Sequence, residues 1–385
     1  MKKINGFTNC NILTEEGLKK TSLKIEDGKI ASIGEFTEGV TLNENYVVLP
    51  GFIDQHVHGA AGSDAMDGTI LDLTKIANAL ASEGTVGFLA TTMTQSVENI
   101  TNALVAVKEY KALNKEEGAE ILGVHLEGPF ISLKHIGAQP LEYVAKPSVE
   151  LFKKFQEASG NTIKLVSLAV EEEGAEELVS YLASTGVVAS LGHTDAKAED
   201  VLKAIKAGAK NVTHTFNAMK PLHHREIGTV GSALLYNELN CELICDGIHV
   251  SIPAINLLRN CKPADKLTLV TDAMRAKHMA DGEYELGGQP VFVKNGEARL
   301  AGGTLAGSVL KMNNAVKNII SFTGATLQEA SNYASLNPAK NLGLDNELGS
   351  IKVGKNASFA VLDENYDVVL TVRNGVVIFE KESIC

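Results

Sequence analysis

The stretch LPGFIDQHVHGAAG, residues 49–62, places His56 and His58 two positions apart at the end of an apolar run. On a helix that spacing turns two imidazoles to different faces, whereas on a strand residues i and i+2 point to the same side. The longer run VVLPGFIDQHVH (47–58) is rich in β-branched residues, so it reads as a strand that delivers two nitrogen ligands to one place.

Seven further runs of the same kind follow: GFLATTM (87–93), ILGVHLEG (121–128), IKLVSLAV (163–170), GVVASLGH (186–193), NVTHTFN (211–217), CELICDG (241–247) and KLTLVTDAM (266–274). Amphipathic segments separate them. In LTKIANALASEG the residues Leu73, Ile76, Ala77 and Leu80 fall at i, i+3, i+4 and i+7, and Gly84 supplies a stop; AEDVLKAIKAGA (198–209) repeats the pattern. Strand and helix in alternation predict a parallel sheet, and eight strands is the number that closes a barrel. Periodicity alone does not separate such a barrel from a doubly wound open sheet.

The polar residues separate them. Active sites of (β/α)8 barrels gather at the C-terminal ends of strands. The first run ends in His56 and His58, the third in His125 and Glu127, the fifth in His193, the sixth in His214 and the eighth in Asp272. His56 and His58 can share one metal, His193 and His214 from adjacent strands present a second pair of imidazoles, and Glu127 can bridge. Histidine and carboxylate without thiolate suit Zn2+, Fe2+ or Mn2+ in a catalytic site. A lone strand histidine is more often a core residue than a ligand, so the joint placement carries the argument. Asp54 reads as structural, His125 as a neighbour of the ligands, and His135, His223, His224 and His278 as loop histidines outside the set.

Bulk properties set the surroundings. The 385 residues are 44% hydrophobic and carry a formal net charge of −12, which argues against a nucleic-acid surface and leaves a small substrate as the default. The five cysteines, Cys10, Cys241, Cys245, Cys261 and Cys385, form no C-x-x-C pair, which suits a reducing cytoplasm. MKKINGFTNCNILTEEG acquires polar residues before any apolar core of a signal develops, and no apolar stretch is long enough to span a bilayer. Residues 1–46 and 349–385 read as short strands punctuated by D-G and N-G turns. The expected architecture is an α/β chain, with a (β/α)8 TIM-like barrel over 47–348 and a small β-sandwich domain built from both termini, 1–46 plus 349–385.

The motifs HLEGPF (125–130), LGHTDA (191–196), THTFNAM (213–219), DGIHV (246–250), VTDAM (270–274) and GGTLAGS (302–308), added to H-x-H after PGFID, carry a resemblance. The chain resembles the N-acetylglucosamine-6-phosphate deacetylases of the amidohydrolase superfamily over essentially its whole length. That resemblance implies hydrolysis of an acetamide with one or two divalent metals per subunit. Glu127, His193 and His214 match the primary ligands, Asp272 the acid/base, and His56 and His58 the ligands of a second ion. Some relatives replace the H-x-H pair with Gln and Asn and run on one metal. The resemblance further implies a phosphate handle from the Asn217 and Ala218 N–H groups with Arg225, a sugar contact at His249, and a closing loop at Leu305, Ala306 and Gly307. Ala138 and Gln139 match further substrate contacts, Gln139 standing where some members have a histidine that polarises the acetyl carbonyl. A homodimer, with Arg225 reaching the neighbouring site, and a place in cytoplasmic amino-sugar catabolism complete the expectation. Alternatives are N-acetylgalactosamine 6-phosphate as substrate, another amidohydrolase acting on a C–N bond, or a non-catalytic sugar-phosphate barrel.

Overall fold

The chain runs straight from a short strand, Val47–Pro50, through Gly51 into Phe52–Val57. Gly51 is required there: a Cβ would come within 2.3 Å of the Val86 side chain on the neighbouring strand. A computed structural model describes residues 2–381; Met1 and 382–385, and with them the Cys385 and end-of-domain expectations, lie outside the described residues.

Phe52–Val57 is the first of eight parallel barrel strands, followed by Thr85–Thr91, Glu120–Glu127, Ile163–Leu168, Val188–Leu191, Asn211–Val212, Asn240–Ile244 and Leu267–Val270. Each overlaps one of the runs read from the sequence. The eighth strand returns to the first through bonds just past their ends: Asp272 N–H donates to the His56 carbonyl at 2.8 Å and His58 N–H to that of Ala273 at 2.9 Å. Closure therefore occurs at the two strands that carry the H-x-H pair and Asp272. The sixth strand is shorter than its run, because the chain leaves the ladder after Val212 and takes positive φ at His214, Phe216 and Ala218.

The intervening helices lie on the barrel through the faces their spacing predicted. Ile70–Ala81 buries Leu73, Ile76, Ala77 and Leu80, and Thr69 caps its N-terminus by accepting from Asp72 N–H. Ala198–Ala207 ends at Gly208 in the left-handed conformation, φ 112°. Inside the barrel a polar layer replaces the usual aliphatic filling. Ser167 Oγ lies 2.7 Å from His125 Nε2 and 2.5 Å from Thr213 Oγ1, which in turn meets Ser190 Oγ at 2.5 Å.

A seven-stranded sheet joins both ends of the chain: Gly6–Thr14, Gly17–Glu26, Lys29–Gly34 and Val47–Pro50 with Phe359–Leu362, Val368–Arg373 and Val376–Glu380. It folds over its own core as a small β-sandwich, with Phe7 and Phe359 edge to face at 5.5 Å. Val47–Pro50 lies in this sheet, paired with both Asn11–Ile12 and Phe359–Leu362. A third sheet, Gly282–Leu286, Gln289–Lys294 and Glu297–Leu300, follows the eighth barrel strand. The sequence reading did not set it apart from the barrel. Its Leu286, Val291, Val293 and Ala298 pack on Met93 and Met274, so it covers the barrel mouth as a hood. Among the described residues no helix is long and apolar enough to cross a membrane.

Candidate metal centre and substrate cavity

Strand ends bring the expected ligands together as two neighbouring groups, His56, His58 and Asp272 in one, Glu127, His193 and His214 in the other. His56 Nε2 and His58 Nε2 lie 3.3 and 3.2 Å from Asp272 Oδ1. Glu127 Oε1 lies 3.1 Å from His214 Nε2 and 3.4 Å from both His193 Nε2 and His56 Nε2, and its Oε2 is 3.3 Å from His58 Nε2. Glu127 thus stands between the groups. His193, His214 and Asp272 have φ of 48°, 29° and 47°. Non-glycine residues resist this left-handed region, and three in one constellation mark backbone held against its preference to aim side chains.

The donor set fits divalent metal. Two ligand atoms on a tetrahedral ion with bonds near 2.0–2.1 Å are about 3.3 Å apart, the separation found here. Tautomers fit as well. His193 Nδ1 donates to the His135 carbonyl at 2.8 Å, so its Nε2 carries the lone pair. His56 Nδ1 lies 3.0 Å from Glu242 Oε2, which leaves Nε2 as the acceptor; that atom is buried with no hydrogen-bond partner. A buried lone pair facing two carboxylates is unfavourable unless a cation sits between them.

Electrostatics agree. Burial alone would suppress the His56 charge, but Asp272, Glu127 and Glu242 outweigh it and raise its pKa to about 9. His58 is raised well above the usual range against the same burial by Asp272 and Glu127. Burial would raise the carboxyls, yet the imidazoles hold Asp272 down to about 2 and Glu127 well below its ordinary value. The protein therefore favours positive charge here, carried by imidazolium protons or by a metal that displaces them. His125 behaves differently: burial, with His56 beside it, lowers it to about 3, so it stays neutral on Ser167. Asp54 ties the first strand to the eighth, accepting from Thr271 Oγ1 at 2.5 Å, and burial pushes its carboxyl up to about 6.

A cavity of about 200 Å³ opens above the two groups. Of the residues expected to meet substrate, Ala138, Gln139, Asn217, Ala218, His249, Leu305 and Gly307 line it. Ala306 is fully buried beside Leu305, its N–H on the Ala298 carbonyl of the hood. Arg225 is exposed, its Nη1 2.8 Å from His224 Nε2, and does not line the cavity of its own chain. Two expected donors are already engaged. Gln139 Nε2 donates to Glu127 Oε2 at 2.8 Å while its Oε1 accepts from Thr94 N–H, so its amide orients the glutamate. Asn217 N–H donates to the His214 carbonyl at 2.9 Å, which leaves Ala218 as the member of that pair whose N–H has no partner among the described residues.

Four features escaped the sequence reading. Glu242 lies buried beneath both groups. Asp246 Oδ2 holds His249 Nδ1 at 2.6 Å, and the D-G-x-H spacing was its available signal. Met93 and Leu286 form an apolar wall, and Thr304 sits beside Leu305 at the rim. The wall and Thr304 have no signal in sequence, because the hood that brings Leu286 over the mouth was not foreseen.

The model of the amidohydrolase family matches residues 47–378. The chain is 44% identical to N-acetylglucosamine-6-phosphate deacetylase of Bacillus subtilis (strain 168), covering 96% of this chain and 95% of that one. It is 40% identical to N-acetylgalactosamine-6-phosphate deacetylase of Escherichia coli O157:H7, covering 93% and 94%. The crystal structure of N-acetylglucosamine-6-phosphate deacetylase from Thermotoga maritima superposes with a TM-score of 0.89 at 37% identity, over 97% of this chain and 99% of that one.

Proposed function

Because the chain belongs to the amidohydrolase family, we propose that it hydrolyses N-acetyl-D-glucosamine 6-phosphate to D-glucosamine 6-phosphate and acetate. The observation that carries this reading is the pair of ligand groups, joined through Glu127, at the floor of a cavity sized for a small substrate. Glu127, His193 and His214 would hold one divalent ion and His56, His58 and Asp272 a second, with Zn2+ or Fe2+ favoured by the nitrogen-rich set and Mn2+ admissible. When bound, such an ion acidifies water and polarises a carbonyl.

The chain's own residues do the rest. Asp272, held ionised, takes the proton released by the attacking water. It then delivers that proton to the departing nitrogen, since an amide cannot leave as an anion. Gln139 keeps Glu127 oriented, and His249, fixed by Asp246, faces the sugar side of the cavity. The apolar wall of Leu286 from the hood and Met93 from the barrel restricts water.

A phosphate dianion needs a cation, and no Lys or Arg lines the cavity among the described residues. Ala218 N–H supplies one donor. Arg225 of the partner subunit supplies the charge in a homodimer, consistent with its exposed position here. The four described cysteines are all free, which supports a cytoplasmic setting.

The test is acetate release from N-acetyl-D-glucosamine 6-phosphate by protein loaded with Zn2+ or Fe2+; no release ends this reading. The C4 epimer is a second substrate reading, favoured by the 40% identity to the galactosamine-6-phosphate enzyme, and kcat/KM for the two epimers side by side ranks them.

A further inference from the structure

We propose that Glu242, a buried residue of the seventh barrel strand, is a positioning residue that decides whether the His56, His58 and Asp272 group binds its ion. This rests on the metal reading of the site given above.

Glu242 is fully buried and its carboxylate meets four donors. Oε1 accepts from Gln55 Nε2 at 2.7 Å and from Asn211 Nδ2 at 3.1 Å. Oε2 lies 3.0 Å from His56 Nδ1 and accepts from the backbone N–H of His214 at 3.2 Å. The amide orientations are set by the surrounding network, since Gln55 Oε1 accepts from Asn341 Nδ2 at 3.1 Å and Asn211 Oδ1 from Asn240 Nδ2 at 2.7 Å. A backbone N–H cannot reverse its role. An ionised carboxylate is the side chain that accepts at both ends, so this pocket is built for Glu and not for its amide.

The consequence falls on His56. With Glu242 accepting, His56 carries its proton on Nδ1 and offers the Nε2 lone pair to the space it shares with His58 and Asp272. Partners of this kind fix the tautomer and ring angle of a metal-binding histidine and raise its basicity. Glu242 does not line the cavity, and among the second group's residues it bonds only His56; on the first group it meets only the His214 backbone. Its influence is therefore site-selective.

The test measures ions per chain and their affinities by chelator competition, on protein loaded with Zn2+. Wild type is expected to hold two ions. Glu242→Gln puts an N–H2 group against donors, and one ion is expected to bind about 10–100-fold more weakly while the other changes little. His56→Gln should lose the same ion, and adding Glu242→Gln to it should change nothing further. Two ions of unaltered affinity in Glu242→Gln overturn the proposal, as do equal weakening of both ions or a wild type that saturates at one. A wild type that binds no ion overturns the metal reading and this proposal together. If Glu242→Gln does not fold, the unaltered enzyme still decides the matter by nitrogen-15 NMR of its histidines. A slowly exchanging His56 Nδ1–H, absent from His56→Gln, is expected, and a His56 ring protonated at Nε2 overturns the proposal.

Discussion

At the scale of single residues, the spacing of His56 and His58 was legible because a strand has period 2, and their nitrogens do converge on Asp272. Asp272→Asn is expected to lower kcat about 10²–10⁴-fold, the range for losing a positioned acid/base, while the ion on Glu127, His193 and His214 remains. Steady-state rates with metal analysis check it; near-normal kcat removes Asp272 from the proton path. His56→Gln/His58→Asn should lower metal content by about one ion per subunit, read by elemental analysis. Glu242 was not legible. CELI reads as an ordinary core strand, and a glutamate within one carries no sign that four donors will surround it.

At the scale of elements, the strand and helix pattern survived because barrel strands are buried on both faces and their helices on one, and each burial leaves its period in the sequence. The hood left no such mark, since its short hairpin strands resemble those of the terminal sheet. Val291, fully buried between hood and barrel, tests its role: Val291→Asp should undock the hood and raise KM with metal content unchanged. An unchanged KM would show that the hood does not shape the cavity. A second joint lies at Glu83, just past helix Ile70–Ala81, which accepts from Lys277 Nζ at 3.1 Å, His278 Nε2 at 2.7 Å and Met312 N–H at 2.9 Å. Lys277→Met leaves this carboxylate buried without its main partner and should cost about 3–5 kcal/mol in denaturant unfolding. Burial would raise the Glu83 pKa, but Lys277 and His278 bring it below 4.5. The stability it contributes is therefore complete above that pH and is lost as pH falls through the lowered value.

At the scale of the whole molecule, a single chain brings the candidate ligands together, and among the described residues no Lys or Arg lines its cavity. Mixing subunits tests the proposed sharing of Arg225. If Arg225 is shared in a homodimer as proposed, a dimer of one Asp272→Asn chain and one Arg225→Met chain would have one site in which intact Asp272 faces an intact Arg225. Activity should therefore rise when the two inactive proteins are exchanged into mixed dimers. No gain on mixing places Arg225 in its own chain's site or outside the reaction.

By itself the sequence determined the repeating strand and helix units and the histidines and carboxylates at their ends, because local backbone periodicity and burial write themselves into residue order. It also carried the family motifs. Tertiary structure alone decided which of these groups meet. Closing the barrel carries Asp272 to His56 across more than two hundred residues, and the same closure buries Glu242 beneath both ligand groups. Gln139 turned onto Glu127 and Arg225 left at the surface are likewise outcomes of packing. Hydrogen-bond partners and exposure depend on neighbours brought from elsewhere in the chain, and no local pattern records them.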